Sequence, residues 1–97
     1  MAVTGLGTRT IKMVTADETV TGPLQIQAIQ WSSLAASRIA AADALLLSRG
    51  SAVEFEELAE VGKLGGFWEF KVPKKLAAGE TLTLTTLGHG AVYLHVV

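Results

Sequence analysis

The side chains able to do chemistry in this chain are few, and their spacing limits what they can do. His89 and His95 are its only imidazoles, six positions apart across a glycine-flanked turn and an alternating run. That separation fits neither the i, i+4 spacing of a helical metal pair nor the i, i+2 spacing of a strand pair. With no further ligands nearby in sequence, no metal site is expected. His89 reads as a turn residue and His95 as an outward strand residue, neither with a carboxylate close in sequence to orient its ring. Ser32, Ser33, Ser37, Ser48 and Ser51 include no Gly-x-Ser-x-Gly elbow, so a Ser-His-Asp triad would need assembly from distant parts. Gly5-x-Gly7 and Gly88-x-Gly90 lack the other glycines and the strand-to-helix setting of a nucleotide loop. The expectation is no catalytic residue, no metal and no cofactor.

The charged and aromatic groups read in two ways each. Glu54, Glu56, Glu57 and Glu60 form the densest acidic cluster, yet the Asp- and Asn-rich loop that cages calcium is missing, so they read as a solvated strand face. Lys71, Lys74 and Lys75 are a short basic patch, either a solvated turn or a complement to another subunit's glutamates. Trp31, Phe67, Trp68 and Tyr93 are core packing or, for Trp31 and Trp68, a sugar-stacking platform. The segment Thr81 to Val97 carries no formally charged residue. Exposed strands usually hold Lys or Glu against edge pairing, so Thr83, Thr85, Leu87, Tyr93 and His95 are expected to meet another chain.

The elements that must position these groups are strands. Leu82 and Leu84 alternate with threonines, and Val92, Leu94 and Val96 alternate with Ala91, Tyr93 and His95, which is the period of half-buried strands. With two glycines between them the runs predict a terminal β-hairpin whose apolar side is core. Thr8 to Thr15 reads as a first strand, ended by polar residues and Gly22-Pro23. Leu24 to Trp31 reads as a second, with Leu24, Ile26 and Ala28 inward. Ile29 and Trp31 fall out of that phase, so a bulge re-aims the strand or both faces are covered there. Leu34 to Leu47 is alanine-rich, which favours helix, but its apolar spacing favours a loop followed by a strand from Ala44 to Leu47. Val53 to Glu56 is expected to hairpin with that strand through Arg49-Gly50. Phe67 to Val72 follows, with Trp68, Phe70 and Val72 inward and Pro73 as its stop. About seven strands with no long helix predict an all-β fold, an antiparallel β-sandwich or jelly-roll-like domain spanning residues 8–97 behind a flexible arm, 1–7.

Composition agrees with one domain: 97 residues, 49% hydrophobic and 18% charged. A net charge of −1 gives no electrostatic case for nucleic acid or an anionic membrane. The absence of cysteine excludes disulfides and fits synthesis in a reducing cytoplasm. The first residues lack the pattern of a signal peptide, and the most apolar run, Ile39 to Leu47, falls far short of the roughly 20 residues of a membrane span. A soluble protein is expected. Its mean hydropathy of +0.41 is high for a small domain, as if apolar surface lies against another subunit.

Four segments in order carry a family resemblance: Leu24 to Trp31; Asp43-Ala44-Leu45-Leu46-Leu47-Ser48-Arg49-Gly50; Phe67 to Pro73; and a glycine-containing close ending in Val92-Tyr93-Leu94. Over residues 24–97 the chain resembles small β-sandwich virion proteins of tailed bacteriophages, of the capsid decoration or cement type. The alanine-rich stretch from Leu34 to Ala42 departs from that pattern. The resemblance implies a structural protein that stabilises the phage head, with no catalytic or cofactor residue to carry over. It implies a homo-oligomer, favouring a trimer, whose partner is the major capsid protein and whose location is the capsid surface after synthesis in the host cytoplasm. The alternative is a tail- or fibre-associated module that binds a host glycan.

Overall fold

The computed structural model describes residues 9–97, so the expected arm, Met1 to Gly7, lies outside the described residues. Eight strands follow one another: β1 (Arg9–Met13), β2 (Thr19–Thr21), β3 (Leu24–Ser32), β4 (Ala44–Arg49), β5 (Ala52–Leu58), β6 (Gly66–Leu76), β7 (Thr81–Leu87) and β8 (Ala91–Val96). They form two four-stranded antiparallel sheets, one ordered β1-β8-β3-β6 and the other β2-β7-β4-β5. The first is sheet A and the second sheet B. The expected all-β sandwich is the fold, with β2 as an eighth strand that three residues of sequence did not reveal.

Both sheets turn their aliphatic faces to one core. Met13, Ile26, Ile29, Trp31, Leu76, Val92, Leu94 and Val96 come from sheet A, and Leu45, Leu47, Leu82 and Leu84 from sheet B, each with at most 2% of its surface exposed. The alternation of Leu82 to Leu84 and Val92 to Val96 therefore marks core faces, as their period requires. Their partnership is different from the expectation. β7 pairs with β2 and β4, β8 pairs with β1 and β3, and the two strands sit in opposite sheets. Leu87 to Ala91 is an arch across the sandwich, not a hairpin turn. Alternation reports which side of a strand is buried and says nothing of its neighbour.

The phase break in β3 is a bulge. Ile26 opposes Val96 and Ala28 opposes His95, with Gln27 as the extra residue, so Ile26, Ile29 and Trp31 all reach the core. Ala28 faces outward rather than inward, although its neighbours cover it completely. On the other side of β3 the same shift is larger: Ile26 opposes Lys74 while Ala28 opposes Glu69, leaving Phe70 to Pro73 without partners in β3. Pro73 lies in this bowed stretch of an edge strand, where no donor is called for, so β6 continues through it to Leu76. Val72, expected inward, is 80% exposed at the bow.

The alanine-rich segment contains no helix. Leu34 and Ser37 exchange two backbone hydrogen bonds of 3.0 Å, Ser33 Oγ accepts from the Ile39 N–H at 2.9 Å, and from Leu34 to Ala42 Ile39 alone is buried in the core. Alanine's propensity is a weak preference that this local bonding overrides. The expected strand after the loop is β4, and its hairpin to β5 turns at Gly50 with φ 60°. Because Leu94 is fully buried, Leu94→Ala should lower the unfolding free energy by about 2–5 kcal/mol, read from the urea midpoint at unchanged m-value.

Candidate functional site

One end of the sandwich gathers the polar groups that could act together. The arch from β7 to β8 must satisfy its backbone there, and three contacts do so. The Gly88 N–H donates to the Ala44 carbonyl at 3.0 Å, the Gly90 N–H to Ser37 Oγ at 3.0 Å, and Trp31 Nε1–H to the His89 carbonyl at 2.8 Å. Gly90 holds φ 83°, and a Cβ at Gly88 would lie 2.6 Å from Asp43 Oδ1, so both glycines are needed for the arch rather than for a hairpin reversal.

His89 has an orienter after all. Its Nδ1 lies 2.7 Å from Asp43 Oδ2, and the same oxygen accepts the Ala40 N–H at 2.8 Å. The Ala40 N–H first, and His89 second, hold the Asp43 carboxyl below its ordinary value of 3.8, against a smaller opposing effect of burial. An ionised Asp43 favours the tautomer with the proton on Nδ1, leaving Nε2 as an acceptor on a ring whose side chain is 52% exposed. Ala42 precedes Asp43 at φ 76°, a left-handed conformation that aims the carboxylate back over its own turn. The pair can position and exchange a proton. Among the described residues no hydroxyl is hydrogen-bonded to His89, and Ser37 Oγ is occupied by the Gly90 N–H. Nor does any group of three or more His, Asp or Glu side chains come together there to hold a metal. The two residues are 46 positions apart, so no local pattern links them; Asp43 is legible only as a turn residue after three alanines.

The residues expected at an interface are divided by the fold. Thr83 and Thr85 lie on the outer face of sheet B, where Thr83 meets Thr19 at 3.1 Å and Thr85 meets Ser48 at 3.2 Å. Tyr93 and His95 lie on the outer face of sheet A, the opposite side of the molecule. Leu87 belongs to neither, because it packs against the core. On sheet A the register builds two rows, Lys12–Tyr93–Gln30–Phe67 and Thr10–His95–Ala28–Glu69. Gln30 Oε1 lies 3.1 Å from His95 Nε2, and the Phe67 ring stands edge-on to His95 at 5.5 Å. Phe67 is 46% exposed, a residue of this face that alternation alone did not single out.

Neither tryptophan offers a stacking platform. Trp31 is 2% exposed with its N–H taken by His89, and Trp68 is half-buried against the core, its ring edge-on to Phe55 at 5.1 Å. Two charged groups also differ from expectation. Lys74 is bound within its own chain to Glu54 at 3.2 Å and lies over the Phe70 ring at 4.9 Å. Glu54 is therefore half-buried rather than solvated, with Arg49 at 3.4 Å on its other oxygen.

The site and fold together define an antiparallel β-sandwich with an oriented imidazole at one end and a weakly charged outer sheet. Comparisons with known proteins find no matching family, no matching curated relative and no matching solved structure.

Two measurements check this end of the molecule. Asp43 has a depressed folded value, so its contribution to stability is present above the ordinary carboxylate value and lost as pH falls below it. Asp43→Asn should lower the urea midpoint at pH 7 and flatten the loss of stability below about pH 4. Ala42→Gly should raise stability by about 0.5–1 kcal/mol by relieving the left-handed alanine, whereas an unchanged or lower midpoint would deny that strain.

Proposed function

We propose that this chain is a structural virion protein, a capsid cement or decoration protein that works as a homo-oligomer on the phage head. The observation carrying this reading is the outer face of sheet A, where Tyr93, Gln30, His95 and Ala28 on the two inner strands are uncharged, while the rows end on the edge strands at Lys12 and Phe67 and at Thr10 and Glu69. An uncharged centre that holds Tyr93, with an aromatic and charged rim, is the anatomy of an association surface.

The edges support the same reading by leaving the faces as the places to associate. β6 is bowed, carries Pro73 and turns Lys74 inward; β5 carries Glu54, Glu56 and Glu57; β1 has five residues and β2 three. Each is a recognised guard against edge-to-edge pairing. The sandwich is also the fold that the resemblance over residues 24–97 implies.

Light scattering and co-sedimentation with expanded heads assembled from a tailed-phage major capsid protein test the reading. Tyr93→Lys and Phe67→Lys should each leave the monomer folded and weaken head binding about tenfold or more, because the new charge is desolvated at the contact. Wild-type protein that stays monomeric at high concentration and does not sediment with heads would overturn it.

A further inference from the structure

The two ends of β6 carry features that the fold does not use. Before it, Glu60 and Lys63 exchange backbone hydrogen bonds of 3.1 and 2.8 Å, and Gly62 turns between them at φ 86°. This narrow turn holds Val61 out at 91% exposure, with Leu64 behind it at 49%. Neither Glu60 nor Lys63 has an ion pair among the described residues. Beyond the other end of β6, Pro23, Leu24, Leu76, Ala77 and Val97 line an open concavity of about 460 Å³, with Lys75 and Glu80 in its walls. Glu80 uses Oε1 for the Ala77 N–H at 2.7 Å and for Arg49 at 3.5 Å, leaving Oε2 without a partner among the described residues. Lys75 is exposed and likewise unpaired among them.

We propose that the Val61 turn of one copy seats in this concavity of a second copy. Val61 and Leu64 would lose their water against Leu24, Ala77 and Val97, with Glu60 meeting Lys75 and Lys63 meeting Glu80. The occupant is a second copy because one acid and one base flank the turn and one base and one acid flank the concavity. An apolar tip with matched opposite charges on both sides is thus supplied by the same sequence. Turn and concavity lie at opposite ends of one strand, so the contact either repeats head to tail into a ring or a chain or is made twice in an antiparallel twofold pair. A contact of one turn is small, so it is weak alone and gains strength by repetition. It adds a self-association surface to the homo-oligomer of the proposed function and does not use Tyr93 or Phe67.

The absence of cysteine makes the test clean. Val61→Cys and Ala77→Cys place single thiols on exposed turns, and the two proteins are mixed and mildly oxidised at high concentration. The mixed disulfide should exceed either self-disulfide several-fold. Adding Glu60→Lys to the first protein should cut its yield about tenfold, and adding Lys75→Glu to the second should restore it. A mixed disulfide at the statistical yield, or one indifferent to Glu60→Lys, would overturn the proposal. Head binding is measured in parallel on the wild-type protein: binding without the cross-link between the cysteine variants defeats this contact alone, and the cross-link without binding defeats only the capsid reading.

Discussion

A chain that leaves one sheet and enters the facing one must cross about 10 Å of core without abandoning its backbone polar groups there. The crossing from β7 to β8 meets this constraint, and much of one end of the protein follows from it. The alanine-rich loop is held in tight turns so that Ser37 and Ala44 can receive the arch's amides. Trp31 is drawn into the core with its one donor aimed at the His89 carbonyl. Asp43 and His89 meet because the loop and the arch do. The imidazole–carboxylate pair is thus first a fastening of the crossing, and any proton chemistry it performs is superimposed on that role.

A sandwich of two open sheets also has two sides to close. On the side of β5 and β6 the closure is aromatic and ionic: Phe55 stands edge-on to Trp68 and Phe70, while Glu54 joins Lys74 of the facing sheet and Arg49 of its own. These ion pairs are partly exposed, and each contributes at most about 1 kcal/mol. Their effect is on shape. Lys74 and Arg49 register opposite Ile26 and Leu82, core positions, so charged stems cover the end of the core where further aliphatic residues would leave a sticky flank.

What could be read from the sequence divides along physical lines. The buried sides of Leu82, Leu84, Val92, Leu94 and Val96 were legible because a two-residue period is local, and so was the phase break at Ile29 and Trp31, for which a bulge was one of two readings. The pairing of β7 and β8 was not, because two glycines permit an arch as readily as a hairpin and the choice is made by residues 33–44. Val72 and Pro73 were misplaced for the same reason: the bow in β6 answers a bulge in β3, some forty residues earlier. β2 has too few residues to show a period. The outward direction of Tyr93, His95 and Thr83 was legible from alternation, but that Tyr93 and His95 lie on one face of the molecule and Thr83 and Thr85 on the opposite one was not, because it follows from the arch. The Asp43–His89 pair left no trace, since a contact between two loops has no spacing.

The strand order has a consequence for how the molecule comes into being. β8, the last strand, lies between β1 and β3, so the first strand of the chain has no neighbour in sheet A until the last one has been made. β3 can find β6 earlier, but its other edge waits as long as β1 does. Sheet A therefore stays half-built until β8 has been made, and the decisive pairings close loops of most of the domain's length. Folding dominated by such distant contacts is slow. Until then the apolar sides of β1 and β3 are open to other chains, and the speed at which β8 docks sets how much of the protein escapes aggregation.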